Sequence, residues 1–544
     1  MNMEHLKYLR PSAISAILIL VVLHLYAQKS SVPERLKETP IRFSNVATTM
    51  GLADPILGVA VHGAAWGDIN GDLYPDLFLG VFANHSIQPN LILLNNAGKS
   101  FIKTDNPDVE IRSRNSGAAF ADFDGDGDDD LVVVHVNDLE GVRHMPEMAK
   151  SNFLYRNDGK GNFTDVTPES NLGFTGEWTG RNPFVLDYDG DGMLDLLMQD
   201  DAVWVQSIGS SRLMRNTGTL VFKDVTLSAG LGANLNGLGG VVADINGDSW
   251  PDFFFAQSCT MYVNGRDGTF RKVNQEFIPP PYNGPTRDGN YEWTCGADMG
   301  DLDNDGDLDL VMGDHFRELP HKISVYLNEG IDDEGFPSFR DITELTGVLT
   351  ADSRQPYVEI QDYDNDGRPD ILVGNPEIFV YRNTGLAEGI PRLEPVPIPE
   401  DVSAGSLGYW VSAPSADFDL DGKMDIYYGS YDSLTLSPML RNMSPDKNYL
   451  KVRISLPEGG NRKGIGATVR IYKKGMSGEA AGYLGMQYIT VSRGYSSGGI
   501  PEALFGIPGQ DSVEVVVQMP CDGPVYKATA CKNSSCVLPV VTLR

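Results

Sequence analysis

Positive charge is what this sequence is short of. Lysine and arginine total 43 against 74 aspartates and glutamates, leaving a net charge of −31 over 544 residues. Nucleic acid and anionic membrane surfaces are thereby excluded as natural partners, because both would repel the chain. Cysteine is scarce as well, with five in all. Cys259 and Cys295 can pair, and Cys521, Cys531 and Cys536 form a C-terminal group that leaves one thiol over; buried thiols are the equal alternative. Long apolar runs are missing except over residues 13–27, which follow Lys7 and Arg10. That run is short for a membrane span. Residues 1–27 are therefore expected to be a secretory signal, or an N-terminal anchor if uncleaved, with a linker over 28–40. No nucleophile motif, zinc signature or nucleotide-binding loop is present.

What is plentiful is aspartate in a fixed register. Seven nine-residue stretches recur at spacings of 54, 65, 57, 57, 61 and 55 residues. Their positions one, three, five and nine are Asp68, Asn70, Asp72 and Asp76, then Asp122, Asp124, Asp126 and Asp130, then Asp187, Asp189, Asp191 and Asp195. The fourth has Asp244, Asn246, Asp248 and Asp252, and the fifth Asp301, Asp303, Asp305 and Asp309. The last two have Asp362, Asp364, Asp366 and Asp370, and Asp417, Asp419, Asp421 and Asp425. Aspartate fills 26 of the 28 slots. A solvated acidic face would not hold that register. A hard cation would: Ca2+ takes six to eight oxygens, and alternate side chains of such a loop turn inward while a carbonyl at position seven contributes. Up to seven Ca2+ ions are expected.

A helix–loop–helix hand shares this ligand spacing but needs a glutamate at position twelve and flanking helices. Here the loops are followed by "DLFLG", "DLVVVHV" and "DFFFAQ", which read as buried strands. Further on come Asn-Asp-Gly and Asn-Thr-Gly turns between apolar runs, as in "NFLYRNDGKGNF", which read as hairpins. Each repeat thus supplies about four strands, the content of a propeller blade. The expected fold is all-β: a seven-bladed β-propeller over residues 41–447 with a calcium loop in each blade, then a small β-rich module over 448–544. "IRFSNVATTMGL" stands as an orphan strand before the first loop, and the last repeat lacks one. Pairing the two would remove both exposed edges.

The Asp-x-Asp-x-Asp-Gly repeats resemble FG-GAP/VCBS repeats. "NRKGIGATVRIY" (461–472), "SRGYSSGG" (492–499) and "LFGI" (504–507) resemble the ASPIC/UnbV domain. The two together resemble the cartilage acidic protein family, which includes secreted matrix proteins and bacterial relatives. Gly498 stands where that pattern usually has glutamine, and "MPCDG" where it has Trp-Pro-x-Gly.

On a propeller, residues at the strand ends opposite such loops gather around the central channel. His62, His135, Arg181, Asp200, Glu292, His315 and Arg317 are the candidates there for acid–base or anion-holding roles. Trp178, Trp293, Arg354, Tyr409 and Trp410 are the candidates for ligand contact. Two functions follow. One is a secreted, extracellular or periplasmic recognition, adhesion or matrix-type protein that binds a glycan, a protein or a small molecule on that face. The other is a calcium-dependent enzyme with its active site in the central pocket of the same face, for which the resemblance to the bacterial relatives implies a place in secondary metabolism.

Overall fold

Strands such as Asp76–Val81 and Asp130–His135 are buried at every position, where a half-exposed strand would alternate. They are apolar throughout because both faces of each sheet are covered. The computed structural model describes residues 40–82, 86–136, 152–174, 180–200, 211–232, 235, 237–275, 277, 294–314, 322–351, 357–375, 379–399, 402, 412–430 and 433–539. The signal or anchor expected over 1–27 and all but the last residue of the linker expected over 28–40 lie outside the described residues.

Seven antiparallel units of four strands follow one another along the chain. The first runs Val61–Gly67, Asp76–Val81, Leu91–Asn95 and Phe101–Lys103, with an aspartate loop between its first two strands. The second begins at Asn115, the third at Gly180, the fourth at Gly240, the fifth at Thr294 and the sixth at Glu359. The seventh has Ser415–Ala416, Asp425–Tyr427 and Met439–Asn442, and its fourth strand is Phe43–Asn45 from the start of the chain. Phe43 lies opposite Asn442 and Asn45 opposite Leu440. The α-helices among the described residues are two single turns, Thr167–Ser170 and Thr343–Thr346.

Successive residues of a strand face opposite sides of its sheet, so each unit feeds two cores. Phe78 packs with Leu131 of the second unit, whereas its neighbours Leu77 and Leu79 pack with Tyr427 and Met439 of the seventh. Val132 meets Leu196, Leu197 meets Phe253, and Phe254 meets Leu310. Val311 meets Ile371, and Leu372 meets Ile426. Every unit shares one core with the unit before it and another with the unit after it, and the seventh shares one with the first. The fold is all-β and propeller-like.

Polar ties reinforce the apolar ones. The third strand of each unit carries an asparagine, its last residue in five of the seven, whose backbone amide donates to the position-nine aspartate; for Asn216 and Asp195 the distance is 2.7 Å. In six units its side-chain amide donates to a loop carbonyl of the preceding unit. Asn157 reaches Ile69 O at 2.8 Å, Asn216 reaches Phe123 O at 2.7 Å and Asn264 reaches Tyr188 O at 2.9 Å. Asn383 reaches Leu302 O, Asn442 reaches Tyr363 O and Asn95 reaches Phe418 O, each at 2.8 Å. In the fifth unit Asn328 reaches Leu308 O of its own loop, at 3.4 Å.

The C-terminal segment forms two further sheets. One orders Glu502–Gly506, Tyr449–Ser455 and Ser534–Pro539; the other orders Tyr483–Tyr488, Thr468–Lys473, Ser512–Gln518 and Val525–Cys531. Between them lies a separate core that includes Val452, Val469 and Val515. Two short strands, Ser492–Arg493 and Ser497–Gly498, leave these sheets and add to the first unit, Ser497 pairing with Ala64 and Gly498 with Ala65 in parallel.

The asparagine ties make a differential prediction. Asn216→Ala leaves the Phe123 carbonyl and two further loop contacts unmet, and should destabilise the chain by about 1–3 kcal/mol. Asn328→Ala, which breaks no bond between units, should do less. Denaturant unfolding of the two variants side by side measures this; equal losses would show that the ties between units contribute nothing.

Candidate metal centres and the central channel

All seven aspartate loops share one backbone scheme. The position-six amide donates to Oδ2 of the position-one aspartate, as Gly127 does to Asp122 at 2.9 Å and Gly422 to Asp417 at 3.0 Å. The position-two amide donates to Oδ2 of the position-nine aspartate, as Leu302 does to Asp309 at 2.8 Å. Positions four and six are both left-handed in every loop. Glycine fills most of them, but Leu73, Ser249 and Leu420 adopt φ of 72°, 71° and 59°, a conformation that costs an ordinary residue roughly 1–2 kcal/mol. Loop closure outweighs that local preference.

These bonds leave an inward-facing set of oxygens without a donor. Oδ1 of Asp68, Asp122, Asp244 and Asp417 at position one, and of Asp189 and Asp419 at position three, are buried with no hydrogen-bond partner. In five loops three carboxylates bring oxygens within 4.8 Å of one another: Asp122, Asp124 and Asp126; Asp187, Asp189 and Asp195; Asp301, Asp303 and Asp309; Asp362, Asp364 and Asp370; and Asp417, Asp419 and Asp425. The first and fourth loops have Asn70 and Asn246 at position three. An all-oxygen donor set, converging and unmet, suits a hard cation, so the residues fit the expected metal.

Without a cation the carboxylates resist ionisation. Burial pushes Asp76 and Asp130 up to about 8, against hydrogen bonds from the backbone. Burial, reinforced by the other aspartates of the same loop, raises Asp187 and Asp362 to about 7. Guanidinium groups offset part of the charge: Arg215 lies 2.5 Å from Asp189 and 2.7 Å from Asp191, and Arg382 lies 2.7 Å from both Asp364 and Asp366.

The C-terminal sheets sit on these loops, an arrangement the sequence reading did not anticipate. Arg453 donates to Leu73 O of the first loop at 3.1 Å. Arg462 donates to Asp126 O at 3.0 Å, and Lys463 pairs with Asp129 at 2.7 Å. The Cys521 thiol faces Asp187 O at 3.4 Å and its amide donates to Ser249 O at 2.7 Å, which spans the third and fourth loops. The Tyr483 hydroxyl donates to Asp301. Lys447 pairs with Asp364 at 3.1 Å and Lys451 with Asp417 at 2.7 Å. Every loop is touched.

From the same side, residues 492–499 enter the space framed by the first strands of the units. Gly494 accepts from Gly240 and donates to Ala297 O, both at 3.1 Å. Ser492 Oγ donates to Pro183 O and Ser412 Oγ donates to Ser496 O, each at 2.8 Å. A Cβ on Gly498 would lie 2.6 Å from Ala118 O, and one on Gly494 2.8 Å from Val358 O. Glycine at 498, where glutamine was the expected residue, is what lets the segment pass. All seven units are contacted, and Tyr495, buried beside Leu238 and Cys295, plugs the channel.

Of the acid–base candidates, His62, His135, Arg181 and Asp200 are described, at strand ends away from the loops. His62 is buried and engaged: its Nδ1 lies 3.3 Å from Ser116 O and its Nε2 3.2 Å from the Tyr495 hydroxyl. The His135 ring nitrogen accepts from the Arg114 amide at 3.2 Å, and Asp200 is fully buried. Glu292, His315 and Arg317 lie outside the described residues, as do all five ligand-contact candidates, Trp178, Trp293, Arg354, Tyr409 and Trp410. Cys259 and Cys295 do not form the disulfide expected as one alternative. The Cys259 sulfur turns to Ala256 O and Thr294, while Cys295 packs on Leu238 and Tyr495. Cys521 and Cys531 are thiols as well.

The raised carboxylates set a pH dependence for the metal-free chain. A carboxylate whose folded pKa exceeds its unfolded value of about 4 favours folding only while protonated, so its contribution is lost as pH rises through the folded value. In chelator, thermal stability should therefore fall as pH rises from about 5 to about 8, through the values near 7 and 8 at Asp187 and Asp76. With Ca2+ added the fall should vanish. Parallel melting-temperature profiles in both conditions would refute the loops as cation sites.

The FG-GAP-like repeat family matches residues 68–133, 146–198, 301–373 and 362–428, and the ASPIC and UnbV family matches 457–525. The fourth unit, between the matched stretches, has the same strands and loop. Mouse cartilage acidic protein 1 is 24% identical over 481 residues, covering 83% of this chain and 70% of that protein. The human protein is 24% identical over 486 residues, covering 83% and 68%. A crystal structure of a rhamnogalacturonan lyase superposes with a TM-score of 0.38 at 13% identity, over 75% of this chain and 76% of that one, too loosely to bear on function. The chain is thus similar to the cartilage acidic proteins and joins FG-GAP-like repeats to an ASPIC and UnbV region.

Proposed function

We propose that the seven units close into a seven-bladed β-propeller that holds Ca2+ in each aspartate loop and acts outside the cell as a matrix-type recognition protein. The position-one, -three, -five and -nine side chains, Asp122, Asp124, Asp126 and Asp130 in the second loop, would hold each ion with the position-seven carbonyl. The ion supplies charge and cross-linking. The observation that carries this is the set of buried, donorless aspartate oxygens, repeated in register around a cycle of shared cores. Without a cation these oxygens have no donor, and the basic side chains nearby offset only part of the charge.

Recognition is supported by occupancy. The C-terminal sheets cover the loop side, residues 492–499 fill the channel, and His62 already faces Tyr495. The cavity beside the plug, lined by Glu359, Gln361 and Arg493, is about 30 Å³, room for about one water. A glycan or protein partner is left the strand ends opposite the loops. The names of the relatives, the signal-like N-terminus and the acidic charge agree with a secreted matrix protein.

Two measurements test this. Metal analysis of the purified chain should count about seven Ca2+, and chelation should lower the melting temperature steeply. Screening on a printed glycan array and on immobilised collagen should find a partner, and Trp178→Ala, Trp293→Ala and Trp410→Ala should each weaken its binding about tenfold or more. A count near zero would remove the calcium assignment. Retention of full affinity by all three variants would move the binding surface elsewhere.

A further inference from the structure

The same loops that present unmet carboxylates inward present carbonyls and carboxylate edges outward to the C-terminal sheets. These contacts depend on loop shape. Asp187 O meets Cys521, Ser249 O accepts from the Cys521 amide, and Asp301 accepts from Tyr483. Each of these atoms lies in a turn that gathers aspartates around one centre, four in the third and fifth loops and three with Asn246 in the fourth. The channel plug is continuous with the docked sheets: Tyr488 ends one of their strands and Ser492 begins the pair that joins the first unit. Dock and plug are therefore one body resting on seven separately stabilised feet.

We infer that Ca2+ loading and closure of the central channel are a single linked equilibrium. Ions in the loops hold the C-terminal sheets down and Tyr495 in place, and loss of the ions lifts the sheets and withdraws residues 492–499 from the channel. This rests on the calcium assignment above and adds a movable part to it. Linkage makes the effect reciprocal: contacts from the docked sheets also tighten ion binding. Tyr483 acts as a positioning residue, because its hydroxyl donates to Asp301 Oδ2 and so orients the carboxylate toward the ion. The core between the seventh and first units is built of ring residues, with Ile500 alone packed against it from the C-terminal segment, whereas Ile465 and Val491, Met486 and Tyr488, and Leu504 enter three of the other cores. The ring can thus stay closed at that seam while the plug leaves.

The chain's cysteines report this directly. Cys531 is exposed and should alkylate in every condition. Cys521 lies under the docked sheets on the third loop, and Cys295 lies behind Tyr495. Cys259 is half-buried in the turn that joins the second and third strands of the fourth unit, its sulfur against Ala256 O, and so reports on the ring. Full-length protein, with its bound metal counted, is pulsed with iodoacetamide in Ca2+ or in EGTA and read by peptide mass spectrometry. In EGTA the labelling of Cys521 and Cys295 should accelerate about tenfold or more, while Cys259 stays protected. If Cys259 labels together with Cys295, the whole ring has unfolded and no separate lift exists. If Cys295 stays protected although the ions are gone, the plug does not depend on them. A metal count of zero before chelation fails the calcium assignment itself, and is distinguishable from either result. As a second arm, Tyr483→Phe should weaken Ca2+ affinity in a competitive chelator titration and speed Cys295 labelling at limiting Ca2+. No change in either would overturn the reciprocity.

Discussion

The position-nine aspartate is the joint on which the rest of the structure depends. In the third unit Asp195 Oδ2 accepts from the Tyr188 amide at the loop entrance, and Oδ1 accepts from the Asn216 amide at the end of the third strand. One carboxylate thereby fixes the loop, starts the second strand and sets the register of the hairpin beyond it. The asparagine it positions then turns its own amide to the neighbouring unit. Burial makes an ionised Asp195 unfavourable, and the aspartates at positions one and three raise its pKa further. A bound cation turns that liability into an attraction, so the joint that organises each unit also demands an ion.

Charge explains why the basic residues sit where they do. Three or four aspartates and one divalent ion leave a loop net negative, so a positive surface suits the seven loops. Lys447, Lys451, Arg453, Arg462 and Lys463 all come from the C-terminal segment, and all reach the loop side. Lys451 is buried between Asp417 and Glu502, with Arg453 on the far side of Glu502 at 2.6 Å. Burial raises the Glu502 carboxyl, and Lys451 and Arg453 more than reverse that, holding it below the usual range. A buried ion network of this kind adds little net stability, and removing one partner is costly. Its effect here is to fix which surface docks on which loop.

Local periodicity made the repeats legible, because a nine-residue aspartate register and an apolar strand after it are written in adjacent residues. The closing strand at Phe43 was legible for a related reason, since an orphan strand at one end matched a gap at the other. The asparagine ties were visible but misread. Asn157 and Asn216 carry a turn signal, and the signal accounts for their backbone, yet a turn alone does not explain an asparagine at the same place in all seven units. The Asn442 triplet reads as a glycosylation acceptor, but the side chain is 1% exposed and bonded to Tyr363 O. The plug was not legible at all. Its partners Pro183, Ala297, Val358 and Ser412 lie far from it in sequence and have no shared pattern, so only the assembled ring brings them together.

The composition of that plug follows from the ring. The first strand is the edge of its sheet in six units, and in the first unit Ser497–Gly498 pairs with it; backbone groups on such an edge cannot stay unpaired once water is excluded. Whatever fills the channel must supply hydrogen bonds in several directions within little space. Serine and glycine do this: Gly494 serves the fourth and fifth units with its own backbone, Ser492 serves the third through its hydroxyl, and the Ser496 carbonyl accepts from the first unit and from Ser412 of the seventh. Larger side chains are barred, since a Cβ at Gly498 would meet Ala118 O and Ala65. One aromatic, Tyr495, fills the remaining width. "SRGYSSGG" is therefore the sequence a packed channel requires, and the ring and its plug specify each other.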